Sequence, residues 1–183
     1  MSTDFANKRV VVLGAGVTGN SVARYLKSQA AKVTITDDNS VDAIKPEEVD
    51  LQNFDAAVIS PGWRQDHPLV LKILNSSLEL LNEIDIAWNL RSLRAPGQKW
   101  IAVTGTNGKT TTVEMTAAIL NAAGIKATAC GNVGDTVIDA LDREDASGRC
   151  QKGCRPHGKP WKSKTKRAVE DFTFYEGFGT FPT

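Results

Sequence analysis

The sequence predicts an α/β fold: a Rossmann-like, parallel-sheet N-terminal domain, then the start of a P-loop α/β domain and an irregular tail. Three features carry this expectation. Short β-branched runs alternate with segments of helical period from Arg9 to Leu141. Two of these runs lead straight into a glycine-rich turn that opens a helix. The early runs also end in turns or polar clusters, at the strand edge where open α/β sheets bind ligands.

Taken in order, Arg9–Leu13 is a continuous β-branched run that flows into Gly14-Ala15-Gly16-Val17-Thr18-Gly19. The helical segment after it places Val22, Ala23, Tyr25 and Leu26 on one side. Lys32–Thr36 is a second strand, ending in Asp37-Asp38, and Asp55–Ile59 a third, ending in Ser60-Pro61-Gly62. Pro68–Leu74 reads as a helix, Leu78–Leu81 as a short strand and Asp85–Leu93 as a helix. His67, just before Pro68 at a helix start, is expected on the surface. A Pro-Gly break at Arg94-Ala95-Pro96-Gly97 separates this region from a restart of the pattern. There follow a strand Lys99–Val103, a helix Thr111–Ala123 closed by Gly124, a strand Ile125–Cys130 and a turn Gly131-Asn132-Val133-Gly134. A last helical piece runs from Thr136 to Leu141. The expected organisation is a first domain over 1–94, a linker at 95–98, an incomplete second domain over 99–141 and a tail over 142–183.

The tail reads as disordered. From Asp142 to Arg167 it has few aliphatic and many basic residues, and the aromatics from Phe172 onward sit among glycines and charges with neither period. Its basic run fits a solvated charge segment better than a nucleic-acid site, since no recognition module accompanies it. Cys150, Cys154 and His157 offer three possible metal ligands in a segment with no core to hold them, so they read as incidental.

Composition narrows the class. A chain that is 41% hydrophobic and 23% charged, with net charge +1, is globular and gives no general argument for nucleic-acid or membrane binding. No apolar stretch reaches the length of a membrane span, and polar Met1–Lys8 running into a strand predicts no secretory signal. Three cysteines are too few for a disulfide framework, and the expected location is the cytoplasm.

Two segments bear chemistry. Val103-Thr104-Gly105-Thr106-Asn107-Gly108-Lys109-Thr110-Thr111-Thr112 reads as a phosphate-binding loop between a strand and a helix. Gly105 and Gly108 let consecutive N–H groups face one point, Lys109 supplies a mobile cation, and the Thr110 hydroxyl can ligate Mg²⁺. Val103 stands where the common GxxxxGK[ST] pattern has its first glycine. The competing account is a Gly-Lys-Thr turn that caps an ordinary helix through threonine. In the first domain, Gly14-x-Gly16-x-x-Gly19 with an acidic pair about 20 residues on matches the dinucleotide fingerprint. NAD and a nucleotide-sugar diphosphate would use the same turn, and a purely structural glycine turn is the third possibility. Ser60-Pro61-Gly62 fits a crevice border or a plain strand exit equally well.

A glycine turn for a diphosphate followed, one small α/β domain later, by TGTNGKTTT resembles the Mur ligase family, the ATP-dependent amide-forming ligases of peptidoglycan precursor synthesis and cell-wall biogenesis. Gly14–Leu26, Ser60-Pro61-Gly62, Asn82-Glu83-Ile84-Asp85 and Gly131-Asn132-Val133-Gly134 are most similar to the branch that joins D-glutamate to UDP-N-acetylmuramoyl-L-alanine. The resemblance implies that Gly16, Val17 and Thr18 meet the UDP diphosphate. It also implies that Asp37 and Asp38 lie by the uridine, that Ser60, Pro61 and Gly62 line the same crevice, and that Asn132 touches the muramoyl portion. It places ATP on Gly105, Thr106, Asn107, Gly108, Lys109, Thr110 and Thr111, with Lys109 as the catalytic cation and Thr110 on Mg²⁺. The implied chemistry is attack of the substrate carboxylate on the γ-phosphate, then displacement of phosphate from the acyl phosphate by the D-glutamate amine. Such catalysis rests on positioning and charge neutralisation. The family's later Glu, His and carbamylated Lys, and its amino-acid-binding domain, have no counterpart after Leu141. The expectation is a truncated or frameshifted chain, inactive alone. An NAD(P)-dependent oxidoreductase domain and a non-catalytic nucleotide-binding remnant are the alternatives.

Overall fold

The computed structural model describes residues 4–94, 97–131, 135–141 and 172–176. It has two compact units. The first comprises Met1–Ala95 together with Thr136–Asp139, and the second Pro96–Asp135 with Ala140–Thr183. The last helical piece, read as part of the second domain, is therefore divided: its first residues pack with the first unit.

In the first unit the elements are β1 (Arg9–Leu13), α1 (Val17–Ser28), β2 (Lys32–Thr36), β3 (Ala56–Ile59), α2 (Pro68–Leu74), β4 (Glu79–Asn82) and α3 (Glu83–Arg94). The strands form one sheet in the order β2-β1-β3-β4, parallel throughout, with Val11 opposite Thr34 on one side and Ala57 on the other. This is a Rossmann-like α/β unit. Parallel strands covered on both faces read as unbroken apolar runs, and Val10, Val11, Val12 and Leu13 are all fully buried. Val11 and Leu13 join Ala57, Ile59 and the α2 residues Leu69, Val70 and Ile73 in one cluster. Each of the Val, Leu and Ile side chains contributes roughly 1.5–3 kcal/mol by leaving water. α1 buries Val22, Ala23, Tyr25 and Leu26, the stripe that its period predicts.

α3 begins at Glu83, two residues before the expected start, because Asn82 caps it. The Asn82 side-chain oxygen accepts the Ile84 and Asp85 N–H groups at 2.8 and 3.0 Å, while Asp85 accepts the Asn82 N–H at 2.9 Å. That is a capping box with Asp in the Glu position. Residues 136–139 dock on this unit through side chains. Ser21 and Thr136 hydroxyls lie 2.7 Å apart, Arg24 pairs with Asp139 at 3.3 Å, and buried Glu83 accepts the Ile138 N–H at 3.2 Å.

The second unit has β5 (Lys99–Val103), α4 (Lys109–Ala122), β6 (Ala127–Cys130) and β7 (Phe172–Glu176). Its sheet runs β5-β7-β6, again parallel, with Ile101 and Ala129 both opposite Phe174. This corrects the patternless reading of the tail for these five residues: Phe172-Thr173-Phe174-Tyr175 is a run of aromatic and β-branched strand formers, and a strand of five residues is too short to display a period clearly. The rest of 142–183, with Cys150, Cys154 and His157, lies outside the described residues. The core here is small, with Val113 and Ala117 of α4 packed against Val103, Leu120, Ala127 and Ala129. Among the described residues no helix is long and apolar enough to cross a membrane.

Candidate functional site

The chain leaves β1 toward β2 on one side and returns to β3 on the other, so the switch point of the first sheet lies between β1 and β3. Ligands of open α/β sheets bind in the crevice outside the carboxyl ends of strands at such a point. The glycine turn after β1 and Ser60-Pro61-Gly62 after β3 flank it, and Asp37-Asp38 follow β2 next to them.

The glycine turn is braced by its neighbours. The Gly14 N–H donates to the Thr36 carbonyl at 2.8 Å and the Ala15 N–H to Asp37 Oδ2 at 2.8 Å. A Cβ on Gly19 would overlap the Gly14 carbonyl oxygen, so only glycine lets α1 approach the turn this closely. Gly16 is the N-cap of α1, without a side-chain cap, and a Cβ there would meet nothing within 4 Å. Val17 and Thr18 thus stand in the first turn of a helix whose N-terminus faces open space beside Gly16, and the Val17 side chain is exposed.

The acidic pair divides its roles. Asp37 Oδ1 accepts the Asn39 and Ser40 N–H groups at 2.8 and 3.0 Å while Oδ2 holds Ala15. These bonds, Ala15 first and Asn39 next, keep its carboxyl below the usual carboxylate range. Asp38 is exposed, and its carboxylate lies 3.4 Å from His67 Nε2. Ser60 donates its N–H to Leu13 and accepts that of Trp63, so the segment is a tight strand exit. The Ser60 hydroxyl and the Trp63 indole nitrogen both close on Gly14, 2.9 and 3.1 Å from where a Cβ would stand. Pro61 and Gly62 are exposed beyond them.

In the second unit, Gly105 has φ +150° and Gly108 φ +77°. Gly108 is the N-cap of α4, without a side-chain cap, so the helix starts at Lys109, two residues earlier than expected, and the threonine-capped alternative does not hold. Left-handed backbone at Gly108 turns the chain where a side chain would be strained. Thr106 and Asn107 complete an exposed loop, and Thr110 and Thr111 lie in the first helical turn. Lys109 Nζ donates to the Gly105 carbonyl at 2.6 Å, holding the ammonium against its own loop. A glycine-lined curl, an uncapped helix start, a lysine and a hydroxyl fit the phosphates and divalent cation of a nucleoside triphosphate. Asn132 lies outside the described residues, and among the described residues no three His, Cys, Asp or Glu side chains gather as a metal centre.

At the rim, Trp63 escaped the sequence reading and His67 was misjudged. His67, expected as a surface side chain, is only 19% exposed and contacts both Asp38 and Trp63. The only hint in the sequence is His-Pro at a helix start, where His can act as N-cap.

Fold and loops define the class first: a parallel α/β protein with a glycine turn at the carboxyl end of the first strand of each unit. Comparison with known proteins then fixes the kinship. Residues 103–148 match the Mur ligase middle domain. The chain is 37% identical over 149 residues to a UDP-N-acetylmuramoylalanine–D-glutamate ligase of Nocardia farcinica, covering 73% of this chain and 31% of that protein. It is 39% identical over 153 residues to the ligase of the same name from Thermobifida fusca, covering 75% and 32%. A solved murein peptide ligase from Psychrobacter arcticus overlays at TM-score 0.44 and 22% identity, over 93% of this chain and 37% of that one, and bears on neither site nor substrate. The chain belongs to the Mur ligase family and spans about a third of the length of the curated relatives it matches.

Proposed function

We propose that the chain carries two nucleotide half-sites of a peptidoglycan-precursor ligase of the D-glutamate-adding kind. The first unit takes the uridine diphosphate of UDP-N-acetylmuramoyl-L-alanine: the diphosphate at Gly16, Val17 and Thr18, the uridine beside Asp37 and Asp38, and Ser60, Pro61 and Gly62 as the wall. The Gly105–Thr111 loop takes ATP, with Lys109 on the phosphates and Thr110 on Mg²⁺. Asn132 is assigned to the muramoyl portion by family resemblance. The observation that supports this most is the similarity to D-glutamate ligases along about three quarters of the chain. ATP would supply the phosphoryl group that activates the substrate carboxylate as an acyl phosphate. The residues of this chain bind, orient and neutralise charge. With a third of the relatives' length present, the 183 residues are proposed to bind nucleotides without turnover by themselves.

An NAD(P)-dependent oxidoreductase remains the competing class, because the exposed Asp38 carboxylate at the end of β2 suits a dinucleotide ribose as well as a uridine. Calorimetric titration with UDP-N-acetylmuramoyl-L-alanine, NAD⁺ and ATP·Mg²⁺ separates the readings. Binding of the UDP-sugar and not of NAD⁺ is expected. Tight NAD⁺ binding with no response to the UDP-sugar would overturn the assignment, and ligase turnover by the purified chain would overturn the claim of inactivity.

A further inference from the structure

His67 meets three parts of the crevice rim at once. Its Nδ1 accepts the Leu69 N–H at 3.1 Å, which caps α2 and leaves that nitrogen without a proton. In the neutral ring Nε2 then carries the N–H, and this nitrogen faces Asp38 Oδ2 at 3.4 Å. The ring stands edge-on to Trp63, centroids 4.5 Å apart at 69°, and Trp63 turns its indole nitrogen to the glycine turn at Gly14. One imidazole thus links the end of β2, the loop after β3 and the start of α2.

Capping alone does not call for histidine. Ser, Thr, Asp and Asn are the preferred caps, and they are short. Imidazole can cap with one nitrogen and, from the far side of its ring, present an N–H to a carboxylate that these shorter caps do not reach. We propose that His67 is a positioning residue of the uridine half-site: it holds the otherwise exposed Asp38 carboxylate in place, with Trp63 behind it, so that the rim is formed before the nucleotide arrives. Preorganisation of this kind raises affinity by removing the ordering cost from the binding step. The inference rests on the uridine assignment above.

The test uses the full chain and UDP as the probe, with affinity from calorimetry and a thermal melt for every variant. His67→Asn keeps a capping acceptor and is too short to reach Asp38. It should melt with the wild type and bind UDP about five-fold more weakly, the scale of one lost polar contact. Asp38→Asn should weaken UDP binding by a similar factor alone and add little in the His67→Asn background, because the two act as a pair. Unchanged UDP affinity in either single variant, or additive losses in the double variant, would overturn the proposal while leaving the uridine assignment standing. A wild-type chain that does not bind UDP would remove that assignment and this inference with it.

Discussion

The two glycine turns use one local device on two differently finished sheets. After β1, the turn is held from outside: Thr36 and Asp37 bond its backbone, and Ser60 and Trp63 close on Gly14. After β5, Lys109 bonds Gly105 and Thr112 bonds Gly108, both within the loop itself. The sheets differ in the same sense. β1 is buried on both faces, whereas Ile101 of β5 is 39% exposed, and Met115 and Ile119 of α4 are 58% and 64% exposed. A glycine turn can be written into a short segment, while its bracing depends on the strands beside it. The first unit also gains cover from residues 136–139, held by Glu83, Ser21 and Arg24.

The strongest way to break this comparison is a methyl group at each turn. Gly19→Ala drives a Cβ into the Gly14 carbonyl and should cost about 3 kcal/mol, the upper range of overpacking. Gly108→Ala has open space around it and only the left-handed backbone to oppose it, so about 1 kcal/mol is expected. Urea unfolding read by hydrogen exchange in each unit measures both. Equal losses would show that the turns are braced alike.

Next in size is Phe174→Pro. A proline within β7 removes an N–H from a ladder flanked by β5 and β6, at about 1–3 kcal/mol. Exchange protection should fall in β5 and β6 and persist in β1 to β4. Loss of protection in β1 as well would contradict the division into units.

Glu83 tests the borrowed segment. Burial pushes its carboxyl above the ordinary 4.5, against the Ile138 and Val137 N–H groups that favour the charge, and Asp139 adds to the rise. A folded pKa above the unfolded one means that the native state holds more protons across that interval. Stability is therefore greatest below pH 4.5 for this group and declines as pH climbs through the raised value. Glu83→Gln should flatten that dependence and keep an acceptor for Ile138, whereas Glu83→Ala should cost about 2 kcal/mol by leaving buried N–H groups unsatisfied. A melt series from pH 4 to 8 (roughly the span over which raised carboxyls titrate) distinguishes the two. An unchanged pH profile in Glu83→Gln would remove the carboxylate from this role.

The smallest effect sharpens the ligand assignment. Lys109→Ala should weaken ATP·Mg²⁺ binding about ten-fold, one charge-assisted contact, and leave UDP affinity unchanged, since the two loops belong to different units. Equal ATP affinity in wild type and variant would withdraw Lys109 from the phosphates.

Much of this was legible in the chain. Arg9–Leu13, Lys32–Thr36, Pro68–Leu74 and Lys99–Val103 fall where period and β-branching placed them, and Gly124 closes α4 with φ +80°. The misjudged helix starts, at Glu83 and Lys109, are capping effects: Asn82 and Gly108 each begin a helix before its apolar period shows. For the proposed uridine half-site, the glycine turn and the acidic pair were visible as residue types, but their division of labour was not. Asp37 and Asp38 are neighbours of the same chemistry, and only the approach of Ala15 to one and His67 to the other separates them.

The sequence by itself determined the α/β class, the strand runs and the two glycine turns, because each depends on residues close together in the chain. Tertiary structure alone decided four things: β7 between β5 and β6, the docking of residues 136–139, the bracing of Gly14 by Ser60 and Trp63, and the meeting of His67 with Asp38. Each joins segments far apart in sequence; Ser21 and Thr136 stand 115 positions apart. No local propensity encodes such a pairing. It exists because a parallel sheet sets its strand ends, and the loops that leave them, side by side.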